Sequence, residues 1–220
     1  MKPQDLAPMG ALAAAVIGAL AYMLIWDRPA SAPVVTAVKG TGVGFLAIYA
    51  ALLAKELDGW LIALVMLLGM LGDVLLAAAG LSTGALAFLA GHVVAVILYR
   101  RNARRPLTPA VLAGALLFVA AVVALAAWLP GDPAAALPVG LYTAGLALMA
   151  ACAWESRFPR ALTGLGALLF VISDLLIFAR LGPLAGRPWV GAAVWITYFG
   201  GQLLIVLGVT RTLARRSITA

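Results

Sequence analysis

The polarity pattern of this chain runs in long blocks: apolar stretches about as long as a bilayer is thick, broken by short polar turns. A helix crosses the hydrocarbon core with about 20 largely apolar residues. Eight blocks approach or meet that length, at residues 6–25, 33–54, 59–79, 83–99, 107–128, 137–153, 161–179 and 190–209, the fourth and sixth being the shortest. Arg28-Pro29, Leu81-Ser82, Arg105-Pro106, Pro130-Gly131-Asp132-Pro133, Phe158-Pro159 and Gly182-Pro183 fall between the blocks, where turn-forming residues end helices. The pattern predicts an all-α fold, a polytopic transmembrane bundle of eight helices forming a single integral membrane domain over residues 1–220. Short loops make sequence neighbours antiparallel.

Composition sharpens this. The chain is 65% hydrophobic and 10% charged, with a mean hydropathy of +1.11, whereas soluble domains carry about 25% charged residues. The runs between blocks leave no room for a separate soluble domain. The first block is long enough to span and is followed by Trp26, Asp27 and Arg28, with no small-x-small cleavage pattern placed after a short apolar region, so it is expected to be retained as a helix and not removed as a signal peptide. The formal charge of +7 would suggest nucleic acid for a soluble chain, but here the basic residues sit at block ends, where they set topology. Eleven fall on one side (Lys2, Lys55, Arg100, Arg101, Arg104, Arg105, Arg157, Arg160, Arg211, Arg215 and Arg216), against Arg28, Arg180 and Arg187 on the other, with Lys39 inside a helix. By the positive-inside rule both termini are cytoplasmic, and the expected location is the bacterial cytoplasmic (inner) membrane. No nucleic-acid partner is expected. The Arg100–Arg105 cluster reads first as a topology anchor and second as a contact for anionic headgroups.

Within the blocks, ionisable residues are few. Met70 to Leu76 (MLGDVLL) and Val171 to Ile177 (VISDLLI) each place an aspartate, Asp73 and Asp174, in strongly apolar surroundings. Such residues are expensive to keep in a bilayer and mark function or pairing. The two stretches fall in the third and seventh helices, which run the same way four helices apart, and so suggest a parallel four-plus-four repeat. Asp73, Asp174 and Lys39 all lie within about one to two turns of the outer interface. His92 lies near the middle of helix four. Tyr142 on helix six, Ser173 beside Asp174, and Tyr198 and Gln202 on helix eight add hydroxyl and amide groups; Gln202 follows Tyr198 by one helical repeat and shares its face.

The structural alternative is that each aspartate pairs with Lys39 or His92, or caps backbone, and only holds the bundle together. The functional one is an acid/base pair, since two carboxyl groups close together in low dielectric need not both ionise. Lys39 beside Gly40 and Gly44 has three options: an ion pair, a phosphate, or snorkelling to the interface. His92, Ser173, Tyr142 and Tyr198 are also candidates for simple interhelix ties. The lone Cys152 excludes an intrachain disulfide, and with one histidine a conventional metal centre is not expected. GxGxxG, P-loop, HExxH and GxSxG patterns are missing. An intramembrane aspartyl protease needs GxGD, and here Met70 stands at the first glycine. A proton-coupled transporter or lipid-binding protein fits the same carboxylates.

Several of these motifs together resemble the YhhN-like lysoplasmalogenase family, over about Val34 to Val209: Lys39 in helix two, Leu71-Gly72-Asp73-Val74-Leu75-Leu76 in helix three, Gly91-His92-Val93-Val94 in helix four, Leu169-Phe170-Val171-Ile172-Ser173-Asp174 in helix seven, and Thr197-Tyr198-Phe199-Gly200-Gly201-Gln202 in helix eight. Two places depart from the family pattern: Gly40, where a proline tends to follow the lysine, and Gly69-Met70, where a Phe-Ser pair often precedes the aspartate. The resemblance implies hydrolysis of the vinyl-ether bond of lysoplasmalogen to a fatty aldehyde and a glycerophospho-headgroup product, without cofactor. It implies a lysophospholipid substrate reached from the surrounding membrane lipid, Asp73 and Asp174 as the acid/base pair, Lys39 on the headgroup phosphate, and His92, Tyr142, Ser173, Tyr198 and Gln202 as orienting groups.

Overall fold

The structure, a computed structural model, describes residues 3–26 and 32–219. Lys2, Arg28 and the Arg28-Pro29 turn lie outside the described residues. The fold is all-α: α1 Pro3–Ile25, α2 Ala32–Leu53, α3 Leu57–Ala79, α4 Leu81–Arg101, α5 Pro109–Trp128, α6 Pro133–Trp154, α7 Leu165–Ala179, entered through a π-helical turn Arg160–Gly164, and α8 Trp189–Thr219. Among the described residues eight helices are long and apolar enough to cross a membrane, and the protein is an integral membrane protein. Trp128, Trp154 and Trp189 stand exposed at or next to helix ends, as in an interfacial aromatic belt.

Local chemistry explains where the helices begin and end. The break between α3 and α4 falls at Gly80, whose φ of +90° is open to glycine and strained for other residues, so α4 starts earlier than the apolar pattern alone suggests. Helix α6 likewise starts at Pro133, four residues before its apolar run, because Asp132 accepts from Ala134 N at 2.9 Å and Pro133 occupies the first turn. In α5 the same roles fall to Thr108, which accepts from Val111 N at 3.3 Å, and to Pro109. Helix α8 continues to Thr219 instead of stopping near residue 209: Thr210 and Thr212 return their hydroxyls to Val206 O and Gly208 O, each at 2.7 Å, leaving the arginines of the last turns outside the apolar block.

The helices group into two compact units, Met1–Leu98 with Val206–Ala220, and Tyr99–Ile205. In the first, glycines set the helix spacing. A Cβ on Gly40 would lie 2.9 Å from Val74 Cγ2, and one on Gly72 would lie 2.8 Å from the Phe88 ring, so α3 is drawn close to α2 on one side and α4 on the other. Val43, Leu46, Ala50, Ile62 and Met66 are fully buried. In the second unit, Leu146, Ala147, Phe158 and Ala167 are fully buried, whereas Leu116 and Leu117 of α5 are 70% and 72% exposed. A helix apolar all round with so little protein cover is a lipid-facing span.

Within this second unit α7 and α8 meet through two glycines. A Cβ on Gly166 would come within 2.6 Å of Gly201 O, and one on Gly201 within 2.6 Å of Gly166 O. Backbone cannot swing aside as a flexible side chain can, and overpacking of this kind costs about 1–3 kcal/mol. Gly166→Ala is therefore expected to lower the thermal midpoint of the detergent-purified protein. Gly114→Ala, at a glycine with nothing within 4 Å of its would-be Cβ, is expected to leave the midpoint unchanged or raise it.

Candidate functional site

Each conspicuous aspartate is buried, and each has a specific partner. In the first unit the glycine contacts that seat α3 between α2 and α4 bring Asp73, only 2% exposed, within an ion pair of Lys39: Nζ lies 3.7 Å from Oδ1. The two residues enter from antiparallel neighbours at matching depth, and the lysine side chain is itself mostly covered. His92 is buried on α4, where the preceding Gly91 lets the helix approach Leu68 of α3. Lys39 is thus one of the partners that the sequence allows for Asp73.

In the second unit Asp174, 5% exposed, accepts a hydrogen bond from Tyr142 Oη at 2.6 Å. The tyrosine ring packs edge-on against Phe178, with centroids 6.2 Å apart, one turn along from the aspartate. Its orientation is thereby fixed by packing as well as by the hydrogen bond. Ala126, Leu129 and Ala179 complete the apolar cluster around Phe178. A short hydroxyl–carboxylate bond in such surroundings is charge-assisted when the carboxylate is ionised. The neighbouring Ser173 donates to Val194 O at 3.1 Å and ties α7 to α8.

On α8, Tyr198 is buried edge-on against Phe170, with centroids 5.2 Å apart, and is flanked by Trp195 at 5.6 Å. One turn further, Gln202 is 1% exposed and its Oε1 has no hydrogen-bond partner among the described residues. Buried amides rarely go unmatched, so this oxygen is an acceptor held ready for a donor. Thr143 and Thr163 also bury hydroxyls without hydrogen-bond partners among the described residues. Neither stands out in the sequence, because threonine in an apolar helix usually bonds back to its own backbone. Phe170 and Trp195, which wall Tyr198, carry no sequence signal beyond their apolar character. Among the described residues no three His, Cys, Asp or Glu side chains gather as a metal site.

Eight membrane-length helices with charged residues buried in their apolar stretches define a polytopic α-helical integral membrane protein. The sequence model of the YhhN family matches residues 34–209, and the chain belongs to that family. No curated protein and no solved structure matches the chain.

Proposed function

We propose that this protein hydrolyses the vinyl-ether bond of a lysoplasmalogen, a single-chain lysophospholipid, releasing a fatty aldehyde and a glycerophospho-headgroup product. The observation that carries this reading is that both buried aspartates stand in contact with a side chain that can orient them: Lys39 on Asp73 and Tyr142 on Asp174. An enol ether reacts when a proton is delivered to its β-carbon. The oxocarbenium ion so formed adds water at the α-carbon, and the resulting hemiacetal collapses to aldehyde and alcohol. The chemistry needs one carboxylic acid to give the proton and one carboxylate to stabilise positive charge and activate water. Asp73 and Asp174 are assigned to this acid/base pair as a pair, with neither role fixed on one of them. The Lys39 ammonium has three donors, enough for Asp73 and for a headgroup phosphate. Gln202 Oε1 is assigned to the water or to a substrate hydroxyl, and His92, Ser173 and Tyr198 orient these groups. The excess of basic residues on one side supports cytoplasmic termini.

The buried Lys39–Asp73 pair also favours one other reading, a proton-coupled transporter or lipid-binding protein, because paired ionisable groups in membranes relay protons. The two separate cleanly. Detergent-purified protein given lysoplasmalogen and, separately, ester lysophospholipid is expected to release aldehyde from the first and no fatty acid from the second. Intact lipid in both reactions, with proton-gradient-dependent movement of a solute in proteoliposomes, would replace the hydrolase by the carrier.

A further inference from the structure

The second unit contains a site that the hydrolysis does not use. The loop after α4 and the loop after α6 are distant in sequence, yet they are clasped backbone to backbone: Ala103 and Ser156 form an isolated antiparallel bridge, Arg104 N donates to Glu155 O at 2.9 Å, and Arg157 N donates to Asn102 O at 2.7 Å. Arg104 adds a side-chain bond, Nη2 to Phe158 O at 3.2 Å. Two basic runs, Arg100–Arg105 and Arg157–Arg160, are thereby joined into one surface of six arginines, in which the carboxylate of Glu155 is engaged by Arg160 at 3.3 Å.

Directly beneath that surface an apolar cleft of about 440 Å³ opens between the first turns of α5 and the last turns of α6. Gly114 and Phe118 form one wall and Ala150 and Ala151 the other, while Trp154 and Glu155 stand at the basic end. The Arg160 guanidinium lies over the Trp154 ring, 5.5 Å from its centroid, and Arg160 Nε donates to Trp154 O at 3.0 Å, which fixes the mouth. From Val111 to Phe118 the cleft runs about 10 Å along the helix axis at 1.5 Å per residue. That is most of one leaflet, half of a hydrocarbon core about 30 Å thick.

We propose that this is a binding site for an anionic phospholipid of the surrounding membrane, with one hydrocarbon chain in the α5–α6 cleft and the phosphate on the clasped arginines. The charge selects the headgroup: arginines present planar donor forks that match phosphate oxygens, and basic pockets between spanning helices hold anionic lipid heads. The cleft selects a lipid over a soluble phosphate, because its walls are apolar and face hydrocarbon. The site is separate from Asp73 and Asp174 in its residues and stands whether or not the protein is a hydrolase.

The test is quenching of tryptophan fluorescence in the detergent-purified full chain by chain-brominated phosphatidylglycerol, with chain-brominated phosphatidylcholine as the zwitterionic control. Saturable quenching by the anionic lipid is expected, and Trp154→Phe should remove it. Arg105→Gln with Arg157→Gln, both exposed side chains, should weaken binding about thirtyfold at roughly 1 kcal/mol per basic residue. Gly114→Leu should fill the cleft, since Gly114 lines it and a Cβ there would meet nothing within 4 Å; an unchanged melting midpoint will show that the variant is folded. Equal quenching by both lipids, wild-type binding in the arginine or Gly114 variants, or displacement of the lipid by glycerol phosphate alone would overturn the proposal.

Discussion

Asp174→Asn is expected to lower aldehyde release from lysoplasmalogen by about 10²–10⁴-fold, the usual contribution of a positioned acid or base, while the protein keeps its helix content and melting midpoint. Asparagine preserves the shape and can still accept from Tyr142, so the 2.6 Å contact survives and only the ionisable proton is lost. Asp73→Asn is expected to fall in the same range. Tyr142→Phe supplies the graded companion. It keeps the edge-on contact with Phe178 but removes the hydroxyl, so it should lower kcat with little change in KM if the tyrosine only aims the carboxylate. Full activity in Asp174→Asn would remove that residue from the reaction.

Lys39→Met carries the largest expected effect on stability. Asp73 is 2% exposed, and taking away the ammonium 3.7 Å from its carboxylate breaks a buried ion pair by removing one member, which costs about 3–5 kcal/mol. The thermal midpoint should drop sharply. Adding Asp73→Asn should restore most of it, because the second substitution removes the buried charge itself. Activity should not return in that double variant. This separation matters because a purely structural ion pair and a catalytic one predict the same single-variant defect. Only the catalytic pair leaves the stabilised double variant inactive.

Eight spans are visible in the sequence because an apolar block needs no tertiary partner to be recognised; the bilayer supplies its environment. Helix ends are less visible. Gly80 and the Asp132-Pro133 cap act through backbone conformation and single hydrogen bonds, which apolar averaging passes over, and the last ten residues of α8 are too polar to register as part of the same block. For the site, residue type singles out Asp73, Asp174, Lys39 and Tyr142 but leaves their pairing open. Antiparallel neighbours and equal depth make Lys39 a natural partner for Asp73, whereas Tyr142 meets Asp174 across 32 positions of chain and is found only through packing. The close approach of Gly166 to Gly201 and the clasp between the two arginine loops rest on backbone atoms, which every residue type possesses, so nothing in the sequence announces either.

If a protein carboxyl group delivers the proton to the β-carbon of the vinyl ether, the position of that proton is recorded in the product. Wild-type protein should be given lysoplasmalogen in D₂O, and the aldehyde trapped by reduction as it forms. The expected product is an alcohol carrying a single deuterium at carbon 2, the former β-carbon, formed by wild type and nearly absent with Asp73→Asn or Asp174→Asn. An alcohol without deuterium at carbon 2, or labelled product formed equally fast by either variant, would contradict it.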